Sequence, residues 1–78
     1  MRLDKFLKVS RVIKRRTVAN EAADNGRVSV NGKVVKPSYE VKVGDIVEIQ
    51  FGDKVSKFEI IEIPKVQGRN MVELIKIL

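Results

Sequence analysis

The side chains of this sequence best equipped to act on a partner are cations, and they are concentrated. Arg11, Lys14, Arg15 and Arg16 crowd the stretch KVSRVIKRR, Arg2, Lys5 and Lys8 precede them, and Lys33 and Lys36 follow, with Asn20 and Asn31 set among them. Guanidinium and ammonium groups are hydrogen-bond donors with no acceptor of their own. A set of them suits anionic oxygen, and Arg adds a planar fork that grips two oxygens at once, which Lys cannot do. The chemistry this pattern favours is recognition of a polyanion.

Bond-making chemistry has little to work with. There is no histidine and no cysteine among the 78 residues. The usual zinc, iron and copper ligands are therefore missing, together with the commonest general base and the strongest nucleophile. Ser10, Ser29, Ser38 and Ser56 sit in no nucleophile-elbow pattern, and no Gly-rich phosphate loop is present. No catalytic activity, metal or cofactor is expected. Without cysteine a disulfide framework is impossible. No apolar run reaches the length of a membrane span, and the opening MRLDKFLKVS lacks a signal-peptide core, so the expected location is cytoplasmic.

Charge is lopsided. The net value is +6. Residues 1–36 carry ten cations against three anions (Asp4, Glu21, Asp24), or +7, whereas residues 37–78 carry six against seven, or −1. A field confined to one half is the footprint of a protein that meets a nucleic acid with one end.

The elements that must hold these groups follow from periodicity. The chain is 44% hydrophobic, enough for one small globular domain spanning residues 1–78. At about 100° per residue, Leu3, Phe6 and Leu7 share one side of a helix, with Lys5 and Lys8 opposite. A second helix is expected from about Lys14 to Asn25, burying Val18, Ala19, Ala22 and Ala23, with Gly26 as a left-handed cap and Arg16 and Asn20 along the border of the stripe. The period then falls to two. Val28 and Val30 lead into Asn31-Gly32, a strong signal for a two-residue hairpin, and Val34 and Val35 return before Pro37. Turns at Gly44-Asp45 and Gly52-Asp53 separate runs through Ile46, Val47, Ile49 and Phe51 and through Phe58, Ile60, Ile61 and Ile63 to Pro64. A loop is expected at Gln67–Asn70 and a last strand in MVELIKIL. The expected class is α+β: two N-terminal helices packed on a small antiparallel sheet of about four to five strands. All three Phe are expected in the core, with Tyr39 half exposed.

The order of these motifs resembles the RNA-binding domain named after the fourth ribosomal protein of the small subunit. Arg2-Leu3-Asp4, Arg16, Ala19, Gly26, Val28, Val30, Asn31, Gly32, Gly44 and Asp45 match that family's pattern over residues 2 to about 51. Arg15 departs from it, standing where Ser is usual, as do Ala22 and Ala23, which replace larger aliphatics. Within the family, a short chain with this opening is similar to factors of ribosome-associated quality control. The resemblance implies binding to ribosomal RNA and peptidyl-tRNA on stalled large ribosomal subunits, beside a partner protein that elongates the obstructed nascent chain with alanine.

Each candidate residue has an expected place. Arg16 and Asn20 present donors from the second helix, Arg2, Lys5 and Lys8 flank them, and Arg11, Lys14 and Arg15 fill the corner between the helices. Asn31, Lys33 and Lys36 reach in from the hairpin, where Asn31 also serves the turn itself and charged edge residues discourage stray strand pairing. Asp4 is expected to orient a neighbouring Arg or to favour the first helical turn. Structured, double-stranded RNA is the better target, because its narrow major groove hides base edges and leaves backbone spacing to be read. Single-strand readers need stacking aromatics, which are scarce here. A monomer is expected. The alternatives are a ribosome-assembly or general structured-RNA factor, and, from another class, a DNA-binding or protein-interaction module.

Overall fold

The computed structural model describes residues 1–63 and 73–78. Two helices open the chain, α1 (Leu3–Val9) and α2 (Arg16–Asp24). Five strands follow: β1 (Val28–Val30), β2 (Lys33–Val34), β3 (Ile46–Phe51), β4 (Lys54–Ile60) and β5 (Ile75–Ile77). They form one antiparallel sheet in the order β2-β1-β3-β4-β5. The expected class and strand number are met.

Register explains the core. Val30 pairs with Val47, Val47 with Phe58, and Phe58 with Ile77, so one row of apolar side chains crosses four strands. Val28 opposite Ile49 and Ile60 opposite Ile75 extend the same face. Onto it pack Leu3, Phe6 and Leu7 of α1 and Ala19, Ala22 and Ala23 of α2 in a single buried cluster. Alternate residues of a strand share a face, which is why Val47 and Ile49 are sealed while Glu48 between them is only partly covered.

The first helix has no side-chain N-cap, yet none of its leading N–H groups is orphaned. The N–H of Leu3 donates to the Tyr39 carbonyl at 2.7 Å, that of Asp4 to the Pro37 carbonyl at 3.2 Å, and that of Lys5 to the Asp4 carboxylate at 2.7 Å. The N–H of Phe6 then reaches the Arg2 carbonyl and the helix proper begins. The segment 37–41 thus serves as the external cap that a helix terminus requires, and it runs alongside through the Arg2–Glu40 bridge.

Several expectations are corrected, among them the run expected to reach Pro64, which ends as a strand at Ile60. The second helix starts at Arg16 rather than Lys14, because Arg15 is extended (φ −123°, ψ 133°) and Lys14 lies before it in the connection. Val18 does not belong to the buried stripe: it is 43% exposed, since on a helical wheel it lies about 90° from the centre of Ala19, Ala22 and Ala23. Phe51 is 40% exposed, because at the end of β3 it pairs with Lys54 beside the turn, beyond the reach of the helices. The expected loop at Gln67–Asn70 lies outside the described residues. The last strand is shorter than MVELIKIL, covering Ile75–Ile77 among the residues described.

Candidate nucleic-acid interface

Two helices meeting at their polar borders build the centre of the basic surface. Arg16 and Asn20, one turn apart on α2, stand next to the buried stripe on the side facing α1. Asp4 holds the matching position on α1, and it is 2% exposed. Its carboxylate collects four partners. Oδ1 accepts the Lys5 N–H at 2.7 Å and faces the Arg16 guanidinium at 3.5 Å. Oδ2 accepts from the Arg2 guanidinium at 3.2 Å and from the Asn20 amide at 3.2 Å. Burial pushes the Asp4 carboxyl up. The Asn20 amide, the Lys5 N–H and the Arg16 and Arg2 guanidiniums outweigh it and hold the group below its ordinary value. The anion is therefore stable in place, and the two guanidinium side chains it holds remain half open, 51% for Arg2 and 47% for Arg16.

A second buried carboxylate ties the hairpin to this centre. Asp45, 7% exposed, accepts from the Asn31 amide at 3.1 Å, the Tyr39 hydroxyl at 3.2 Å and the Lys42 N–H at 2.9 Å. The Asn31 carbonyl oxygen in turn accepts the Ile46 N–H at 3.0 Å. Both ends of the Asn31 amide are thus engaged within the fold, on a residue whose φ of 53°, followed by Gly32 at 84°, makes the tight turn that twisted hairpins favour. Tyr39 joins the two centres, its carbonyl on the first turn of α1 and its hydroxyl on Asp45. Burial and the Asp45 charge and hydrogen bond keep that phenol protonated to a pH above its ordinary value.

The remaining candidates are arranged around this frame. Lys8 follows Asp4 by one turn of α1, and Lys5 sits beside Asp4 and is partly covered. Lys14 and Arg15 are exposed in the connection between the helices, and Lys33 and Lys36 are exposed on and just after β2. Among the described residues, no carboxylate pairs with Lys5, Lys8, Lys14, Arg15, Lys33 or Lys36. Lys36 immediately precedes Pro37, whose carbonyl accepts from Asp4, so the end of the hairpin lies near the helix start. Arg11 takes a positive φ of 65° directly after α1, with its N–H on the Lys8 carbonyl, in a position where glycine is the common choice. The structure brings Arg2, Arg16 and Asn20 into one cluster; Lys5 touches it through its backbone, and Lys8, Lys14, Arg15, Lys33 and Lys36 form no ion pair with its carboxylate.

Sequence reasoning missed the Asp45 hub, and nothing local betrays it: Asp45 reads as half of a Gly-Asp turn until Asn31 and Tyr39 are folded onto it.

The model of the S4 domain family matches residues 1–47. The chain belongs to that family. Two curated relatives, each named RQC P-site tRNA stabilizing factor, come from Streptococcus pneumoniae and Bacillus subtilis. The first is 60% identical over 80% of this chain and 70% of its own length. The second is 49% identical over 97% of this chain and 93% of its own. Among solved structures, the fold is similar to a trimeric structure of Vibrio cholerae heat shock protein 15, with a TM-score of 0.86 and 28% identity over all of this chain and 81% of that one.

Proposed function

We propose that this protein is a non-enzymatic RNA-binding factor, one unit across residues 1–78, that binds ribosomal RNA and tRNA on the large ribosomal subunit during quality control of stalled translation. The observation that carries the proposal is the pair of half-exposed guanidiniums, Arg2 and Arg16, held at the seam of two helices within the basic half of the chain. The names of the relatives support the tRNA and quality-control parts. Lys8, Lys14, Arg15, Lys33 and Lys36 surround the pair as longer-range phosphate contacts, with Lys5 and Arg11 contributing from the same helix and its end. Such contacts set register and affinity without reading bases. Asn20 and Asn31 act by fixing the frame. The site lies within one chain, so a monomer suffices, working in the cytoplasm beside a partner that extends the nascent chain with alanine.

Sedimentation of cell lysate through a sucrose gradient tests this. The protein is expected with large subunits that carry peptidyl-tRNA, and Arg16→Ala is expected to lose about tenfold in affinity, the scale of one charge-assisted hydrogen bond. Migration of the wild type with immature particles instead would support an assembly factor, and migration free of ribosomes would overturn the proposal.

A further inference from the structure

We infer that Asp4 is a positioning residue for RNA binding: its buried carboxylate fixes the Arg2 and Arg16 guanidiniums side by side as a paired fork for backbone phosphate. The inference rests on the RNA-binding reading of this surface and goes beyond it, because an anion beneath a phosphate site has the wrong sign to help by simple attraction.

The geometry explains how it helps. Arg2 precedes α1 and Arg16 opens α2, so their side chains come from separate elements and carry like charges that would drive them apart. Asp4 stands between, with Oδ2 on the Nη2 of Arg2 at 3.2 Å and Oδ1 facing the Nη2 of Arg16 at 3.5 Å. The carboxylate is itself held, by the Lys5 N–H on one oxygen and the Asn20 amide on the other. It is sealed from water at 2% exposure, while both arginine side chains stay half open. A guanidinium has five N–H donors. One of its nitrogens spent on Asp4 leaves others for a ligand. An arginine already held in place loses less side-chain freedom on gripping phosphate than a free one does, so holding it raises affinity.

Asp4→Asn separates positioning from charge because the two predict opposite signs. The variant keeps the shape and an acceptor oxygen but makes the protein one charge more positive. If Asp4 acts only through its field, stem-loop RNA binds more tightly. If it positions the fork, binding weakens, by an expected fivefold to tenfold. The salt dependence should flatten too, since the slope of log affinity against log salt scales with the phosphates engaged. A merely structural role would lower the active fraction and leave that slope unchanged.

The experiment measures stem-loop RNA affinity against salt for wild type, Arg16→Ala and Asp4→Asn. Side-chain 15Nε relaxation of the wild-type arginines is recorded in parallel, which needs no variant to fold. Arg2 and Arg16 are expected to be more ordered than Arg15 and Arg27. Weaker binding by Arg16→Ala with equal or tighter binding by Asp4→Asn overturns the Asp4 inference alone, as does equal mobility of all four arginines. Unchanged binding by Arg16→Ala removes the RNA-binding reading beneath it.

Discussion

Asp4 and Asp45 are the two charged side chains that the described residues bury, and each organises what lies above it. Their types were plain in the sequence, and so was an arginine neighbour for Asp4, which the Arg2 and Arg16 pairs bear out, but the amide partners were not. The reach from Asp4 to Asn20 and from Asn31 to Asp45 exists only after the helices pack and the hairpin closes onto β3. What could be read locally was that Arg16 and Asn20 share a helical side and that Asn31-Gly32 makes a turn, because both depend on short-range geometry. The charge state of Asp4 has a consequence for stability. Its pKa is lowered in the folded protein, so the ionised carboxylate contributes stability above its unfolded value near 3.8, and that contribution is lost as pH falls through the lower folded value. Thermal melts of wild type and Asp4→Asn are expected to differ most near neutral pH and to converge in acid, below about pH 4. A gap that stays constant through and below that range would show that the Asp4 charge contributes nothing.

At the scale of elements, helix ends were more legible when their signal was chemical than when it was a matter of packing. Gly26 marked the end of α2 correctly. It takes φ of +76°, and the N–H groups of Gly26 and Arg27 return to the carbonyls of Ala23 and Ala22 in the double bond pattern of a Schellman cap. The start of the same helix carried no capping residue, and the boundary slipped by two positions to Arg16. Val18 and Phe51 were misplaced because hydrophobicity was taken for burial at positions that the neighbouring elements do not reach. The cap permits a clean test. A Cβ at Gly26 would meet the Val34 Cγ1 at 3.8 Å, an ordinary contact, so Gly26→Ala suffers from its backbone conformation alone. It should cost about 1–2 kcal/mol in urea denaturation, with an unchanged denaturant slope. A neutral effect would mean that the left-handed cap contributes no stability.

For the molecule as a whole, the division of charge in the sequence becomes a division of labour in the fold. The half that carries +7 forms both helices and the first hairpin, and the nearly neutral half forms most of the sheet that braces them. The link between them is short: the Asp45 hub, Tyr39, and the first turn of α1. On the proposed RNA-binding reading, a connection of this kind would let cations from two helices and a hairpin meet one folded RNA together. Titration of 15N-labelled protein with a stem-loop RNA, followed by amide chemical shifts, tests this most directly. Shifts are expected to concentrate in residues 2–20 and 31–40. Shifts confined to Glu48, Lys57 and Glu59 on the outer face of the sheet would contradict it.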